Sequence, residues 1–199
     1  MKSFSFLLAT IVGLVTLSLS GCGDTVTKPQ AYNAEPLPVE ITENNIQMKG
    51  SDQKYLTVNI KALISPRGTT KAQRASTAID LAYEAYEKQE NASAIFVYLY
   101  DEVLPNSGTV SRVNLYPKKC GMLEDDCNNI QWDVYVSDNS PSNLEIKVTA
   151  GWWHMRDRFQ KNGMTDEDAL TNFIASTLKI SANEVTLFNY NDYSNHETF

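Results

Sequence analysis

Few side chains in these 199 residues could carry out covalent or metal chemistry, and their spacing decides which. There are two histidines, His154 and His196, and three cysteines, Cys22, Cys120 and Cys127. A catalytic histidine needs a nucleophile and an orienting group in reach. His154 has Asp157 three positions on, so a helix would put both on one face, as a base steadied by a carboxylate or as a surface ion pair. No Gly-x-Ser-x-Gly elbow supplies a serine for such a base. His196 falls in a polar tail expected to fray. The run Glu124-Asp125-Asp126, followed by Asn128 and Asn129, could offer oxygens to calcium. It lacks the alternating ligands and turn glycine of a calcium loop, and reads as a solvated acidic loop. Glycine-rich phosphate loops are absent. No catalytic residue, metal or cofactor is assigned.

The neighbouring Trp152 and Trp153 carry a different kind of chemistry. Two adjacent helical residues point about 100° apart, which leaves one ring at least partly outside a core. An exposed tryptophan is a typical interface anchor; the alternative is that both pack on the sheet with one edge wet. Tyr190, Tyr193 and Phe199 form a second aromatic set near the end, either a contact segment or a frayed tail.

The N-terminus is more specific. Lys2 precedes an apolar run from Phe4 to Leu19, and small residues follow, as in a secretory leader. The run is slightly short of the about 20 residues a bilayer span needs. Leu19-Ser20-Gly21-Cys22 resembles the lipobox of bacterial lipoproteins. That resemblance implies that residues 1–21 are removed and that Cys22 is acylated, with chains such as palmitate. Two or more chains give stable anchoring where one does not. In lipoproteins of double-membraned bacteria an aspartate after the cysteine commonly signals inner-membrane retention. Gly23 stands there, so the resemblance implies the outer membrane, facing the periplasm.

With Cys22 lipidated, Cys120 and Cys127 are left over in an oxidising compartment, where a pair is most simply a disulfide. Six residues separate them. Closing so short a loop stabilises by roughly 2.5 kcal/mol in the chain-entropy model. The gap is too long for paired zinc cysteines, and no Cys-x-x-Cys redox spacing is present. Removing the leader takes only Lys2, leaving sixteen basic against twenty-four acidic side chains and a formal charge of −8. Such a surface disfavours nucleic acid and anionic headgroups.

The chain must then build a scaffold. Residues 22–53 are polar, with Pro29, Pro36 and Pro38, and read as a tether with room for a short strand at 40–47. Fully extended, roughly 30 residues reach about 100 Å. Leu56, Val58, Ile60, Ala62 and Ile64 alternate with mostly polar residues as in a half-buried strand. Ser65-Pro66-Arg67-Gly68 breaks it, and Thr70 with Gln73 resembles a capping box opening a helix to about Gln89. Ala72, Ala75, Ile79, Ala82 and Tyr86 share one face of that helix. The run from Ala94 to Tyr100 predicts a central strand, parallel to the first across the helix. A turn at 105–108 leads to a hairpin strand over 109–116.

Ile130, Trp132, Val134 and Val136 alternate, as do Leu144, Ile146 and Val148, predicting two further strands around a loop at 137–143. Trp152, Met155 and Phe159 predict a short helix closed by Asn162-Gly163. Thr165 with Asp168 caps the next, whose stripe is Ala169, Leu170, Phe173, Ile174 and Leu178. Residues 185–190 predict a last strand and 191–199 a polar tail. The strand-helix-strand-strand stretch from Lys54 to Pro117 is similar to small, uncharacterised lipoprotein domains; the likeness carries no functional residues.

The expectation is a single α+β domain over 54–190, one mostly antiparallel sheet with two principal helices on one face. Function is expected to be binding: a lipid-anchored accessory component of an envelope assembly for secretion, conjugation or envelope maintenance, meeting another envelope protein through Trp152 and Trp153. The alternatives are an envelope hydrolase using His154 and Asp157, and an exclusion lipoprotein that blocks phage or plasmid entry.

Overall fold

The computed structural model describes residues 25–50, 55–118, 130–190 and 196–199. Its elements in chain order are β1 (Glu40–Lys49), β2 (Tyr55–Ile64), α1 (Lys71–Lys88), β3 (Ala94–Asp101), β4 (Thr109–Leu115), β5 (Trp132–Val136), α2 (Asn143–Met155), β6 (Gln160–Lys161), β7 (Met164–Thr165), α3 (Glu167–Leu178) and β8 (His196–Thr198). Six strands form one sheet in the order β1-β2-β3-β4-β5-β8. Only β2 and β3 run parallel; the other neighbours are antiparallel. The class is α+β, as the sequence patterns predict.

The core follows from period two meeting period 3.6. Val58, Ile60, Ala62 and Ile64 of β2, Ile95, Val97 and Leu99 of β3, and Val113 and Leu115 of β4 all point to one side. α1 lies on that side with Ala75, Ala78 and Ala82 wholly buried. Alanines let its axis approach the sheet closely. Thr70 opens the helix through the expected capping box with Gln73. Among the described residues no helix covers the other side of the sheet, and Asn59, Lys61, Phe96, Tyr98 and Tyr135 are half-buried there.

Several expectations are corrected. Residues 25–39 are no free tether: Val26 and Tyr32 are buried, Trp132 Nε1 donates to the Thr27 carbonyl at 2.8 Å, and Ser76 Oγ donates to the Ala34 carbonyl at 2.6 Å. β1 extends the sheet by ten residues rather than a short strand at its threshold. The run through Leu144, Ile146 and Val148 is helical, part of α2. Ser142 accepts from the Glu145 backbone and Glu145 returns the bond, a capping box that outweighs three alternating positions. Asn162-Gly163 does not end a helix. Both residues have positive φ, and they form the turn between β6 and β7. The cap of α3 is Asp166, which accepts from Ala169 N, one place later than expected.

Residues 185–190 form no strand; they are held where Phe188 N donates to Thr149 Oγ1 and Tyr190 N to the Ser107 carbonyl. The last residues are not frayed, since β8 pairs with β5 and Phe199 exchanges backbone bonds with Trp132. α2 and α3 pack on each other around Val148, Leu170 and Ile174. The expected pair Cys120–Cys127, the acidic run at 124–126, Tyr193 and the lipobox lie outside the described residues.

The close seat of α1 sets a measurable limit. Ala82→Leu adds volume where no space exists and is expected to lower stability by about 1–3 kcal/mol, read as a fall in the urea midpoint at unchanged slope.

Candidate functional site

The parallel pair fixes where a site forms. Ile64 and Asp101 are partners in register at the carboxyl ends of β2 and β3, and the chain leaves Ile64 to start α1. The turn between them is tight: Thr69 N and Oγ1 both donate to the Pro66 carbonyl, and Gly68 takes φ +73°, a left-handed conformation that a glycine adopts without strain. This turn throws Arg67 back over the strand ends. One of its nitrogens, Nη2, reaches both oxygens of Asp101, at 3.2 and 3.3 Å.

Asp101 is completely buried. A carboxylate there needs donors, and it has four contacts from three sources. Besides Arg67, Tyr190 OH donates to Oδ2 at 2.8 Å and Val103 N donates to Oδ1 at 2.8 Å. Burial first, and then the bond to Asp101, push the Tyr190 phenol above its ordinary value.

One turn into α1 stands Arg74, only 4% exposed. Its Nη2 donates to the Ser137 carbonyl at 3.0 Å, while its Nε is buried with no partner. Burial pulls the guanidinium below its ordinary value. An unpaired buried donor costs about 1–3 kcal/mol, more on a charged group.

Arg67, Arg74 and Tyr190 border a half-open pocket of about 280 Å³, lined also by Thr69, Asn143 and Ile146 among others. Asn143 is the first residue of α2, so the N-termini of α1 and α2 both border it. Helix N-termini and arginines favour negative charge. Among the described residues no group of three or more His, Cys, Asp or Glu gathers to hold a metal.

The residues expected from sequence fall elsewhere. Trp152 packs half-buried against the Val148, Leu170 and Ile174 cluster, whereas Trp153 is half-buried under the Arg156 guanidinium, 5.2 Å from its ring centre. The two tryptophans do not make one patch. His154 and Asp157 are exposed, on α2 and on the 3-10 turn Arg156–Phe159. His154 lies about 16 Å along α2 from Asn143, at 1.5 Å per residue. His196 stacks on Tyr135, ring centres 4.1 Å apart, with Nε2 3.0 Å from Asp133. Cys22, Cys120 and Cys127 are outside the described residues.

Sequence reasoning missed Arg67, Arg74 and Asp101. The signal present was an arginine set beside the inward alanines of a helix, and an aspartate ending an apolar strand.

A family model described as "Domain of unknown function (DUF4875)" matches residues 34–190, a span that includes Arg67, Arg74, Asp101 and Tyr190. A crystal structure of a DUF487 family protein from Desulfovibrio piger is similar in fold, with a TM-score of 0.61 and 22% identity over 83% of this chain and 97% of that one. No curated protein matches this chain significantly.

Tyr190 gives a pH test. The folded phenol keeps its proton at pH values where the unfolded one, near pKa about 10, loses it. Its contribution is complete below about pH 10 and is lost as pH rises through the higher folded value. Tyr190→Phe is expected to cost about 1.5–3 kcal/mol at neutral pH and to flatten the alkaline decline, measured by urea unfolding across pH. An unchanged alkaline slope would remove Tyr190 as its source.

Proposed function

The chain belongs to the DUF4875 family, and we propose that it is an envelope lipoprotein that acts by binding. Lipid on Cys22 holds it to the outer membrane on the periplasmic side, and its partner is another envelope protein. The reading rests on Leu19-Ser20-Gly21-Cys22 taken with one structural observation: the fold has already begun at Val26, which is buried, and at Thr27, whose carbonyl receives Trp132.

Four residues from Cys22 to Val26 span at most about 14 Å. A lipid at Cys22 would therefore keep the domain against the membrane surface, not on a long stalk. A formal charge of −8 on the processed chain gives no electrostatic reason to sit on anionic lipid, so the acyl chains do the holding. A partner met this way is itself in or on that membrane. Trp153 with Arg156 over its ring supplies the contact, because tryptophan and arginine are the side chains on which binding energy concentrates. Trp152 is engaged in packing.

The test uses full-length protein in its native cells. Mass spectrometry is expected to find an acylated Cys22 with residues 1–21 gone, and Cys22→Ala is expected to leave the membrane fraction. A 30-residue Gly/Ser insertion after Asp24 should weaken in-cell cross-linking to the partner, and Trp153→Ala should weaken it without releasing the protein from the membrane. An unacylated Cys22 would overturn the lipid reading; cross-linking indifferent to both changes would overturn the close-docked binding reading.

A further inference from the structure

We infer that the pocket at the carboxyl ends of β2 and β3 binds the oxyanion end group, carboxylate or phosphate, of a small ligand, received by Arg74 and Arg67 between the first turns of α1 and α2. The site does not depend on the lipid.

Arg74 carries the argument. A guanidinium offers five donors in a fixed fork; here it is almost wholly buried, yet only one bond to the Ser137 carbonyl is made and Nε has no partner. Among the described residues no carboxylate forms an ion pair with it; Asp138, which pairs with Lys71, favours its charge without such contact. The buried cation thus has no counter-charge bonded to it, and the space beside it is the pocket.

The surroundings add donors and withhold acceptors. α1 has no acidic residue in its first turn to answer its own dipole. Glu145, in the first turn of α2, spends its carboxylate on the Ser142 backbone. Asp101 could repel an anion, but its oxygens are taken up by Arg67, Tyr190 and Val103 N. Glu102 stands 3.9 Å from Arg67, and Asp138 is 3.8 Å from Lys71. Three cations, Arg67, Lys71 and Arg74, therefore stand among four carboxylates, Asp101, Glu102, Asp138 and Glu145, and no net positive field steers a ligand from afar. An anion would be held by directed donors at short range. At about 280 Å³ the pocket is far larger than a bare ion fills. Ile146 gives part of its wall an apolar surface. The ligand is thus an anion with a short body attached.

The experiment uses the full-length chain in detergent, labelled with 15N, and follows the arginine Nε–Hε signals. Inorganic phosphate, acetate and hexanoate are titrated at constant ionic strength, with chloride as control. The expected result is a saturable shift of the Arg74 signal with phosphate, or with a carboxylate bound more tightly as hexanoate than as acetate. The first outcome assigns a phosphate ligand and the second a carboxylate. Arg67→Gln should weaken binding about tenfold, equivalent to about 1.4 kcal/mol. Arg74→Gln risks the fold, so Asn143→Asp is the second variant: its new carboxylate suits the start of α2 but stands at the pocket. It should raise the melting temperature or leave it unchanged, and still abolish the shift. No response of Arg74 to any of the three anions, a response equal to that of chloride, or full binding by Asn143→Asp would overturn the inference.

Discussion

The buried carboxylate of Asp101 is the constraint on which this end of the molecule depends. An ionised group removed from water must be answered by charge or by several donors, since leaving it unanswered costs several kcal/mol. The answer comes from one neighbouring amide and two distant parts of the chain. Arg67 leaves the β2–α1 turn, Val103 N follows β3, and Tyr190 arrives from the segment after α3. Tyr190 is entirely buried and packs edge-on against Phe188, 4.7 Å between ring centres. Phe188 in turn donates its amide to Thr149 of α2. One carboxylate thereby ties the α2–α3 pair to the main sheet and sets the distance between the two helix starts.

A second meeting point lies at Trp132. Its indole donates to Thr27, and its backbone N–H and C=O both bond to Phe199. Tyr32 and Phe199 close the contact edge to face, 6.2 Å between centres. Both ends of the described chain are thus pinned to β5, and β8 covers an edge that would otherwise present unpaired backbone groups. The stretch from Lys28 to Pro38, with its three prolines, is no stalk either: Lys28 bonds to Asp80, the Ala34 carbonyl accepts from Ser76, and Leu37 N donates to Thr77, all on α1.

Local grammar was enough for the parts of the fold that obey one period. β2, α1, β3 and β4 were legible because alternation, a Thr70–Gln73 box and an all-apolar run each pointed one way. Leu144, Ile146 and Val148 misled because three alternating residues also fit the inner side of a helix, and Val148, Trp152 and Met155 carry the helical spacing on. The strap at 25–39 and the final strand escaped because their support is non-local: backbone groups of Thr27, Ala34, Leu37 and Phe199 bond to α1 and β5, far along the chain. The pocket was the least legible part. Arg67 and Arg74 stand in a breaker and a helix with nothing in their spacing to mark them, and only the parallel register that sets Ile64 beside Asp101 brings them together.

The two meeting points also give the domain a direction. Trp132 is level with Leu115 and Ile95, at the start of β3, while Asp101 ends that strand. Six residues of strand separate the two levels, about 20 Å. On the lipoprotein reading, Cys22 reaches the fold near Thr27 and hence near the Trp132 level. The pocket then opens at the far end, away from the bilayer that holds the domain. A lipid headgroup of the same membrane would have to cross the length of the sheet to enter it. An anionic ligand for Arg74 would accordingly come from the aqueous side, and the contact through Trp153 and the pocket would serve separate molecules.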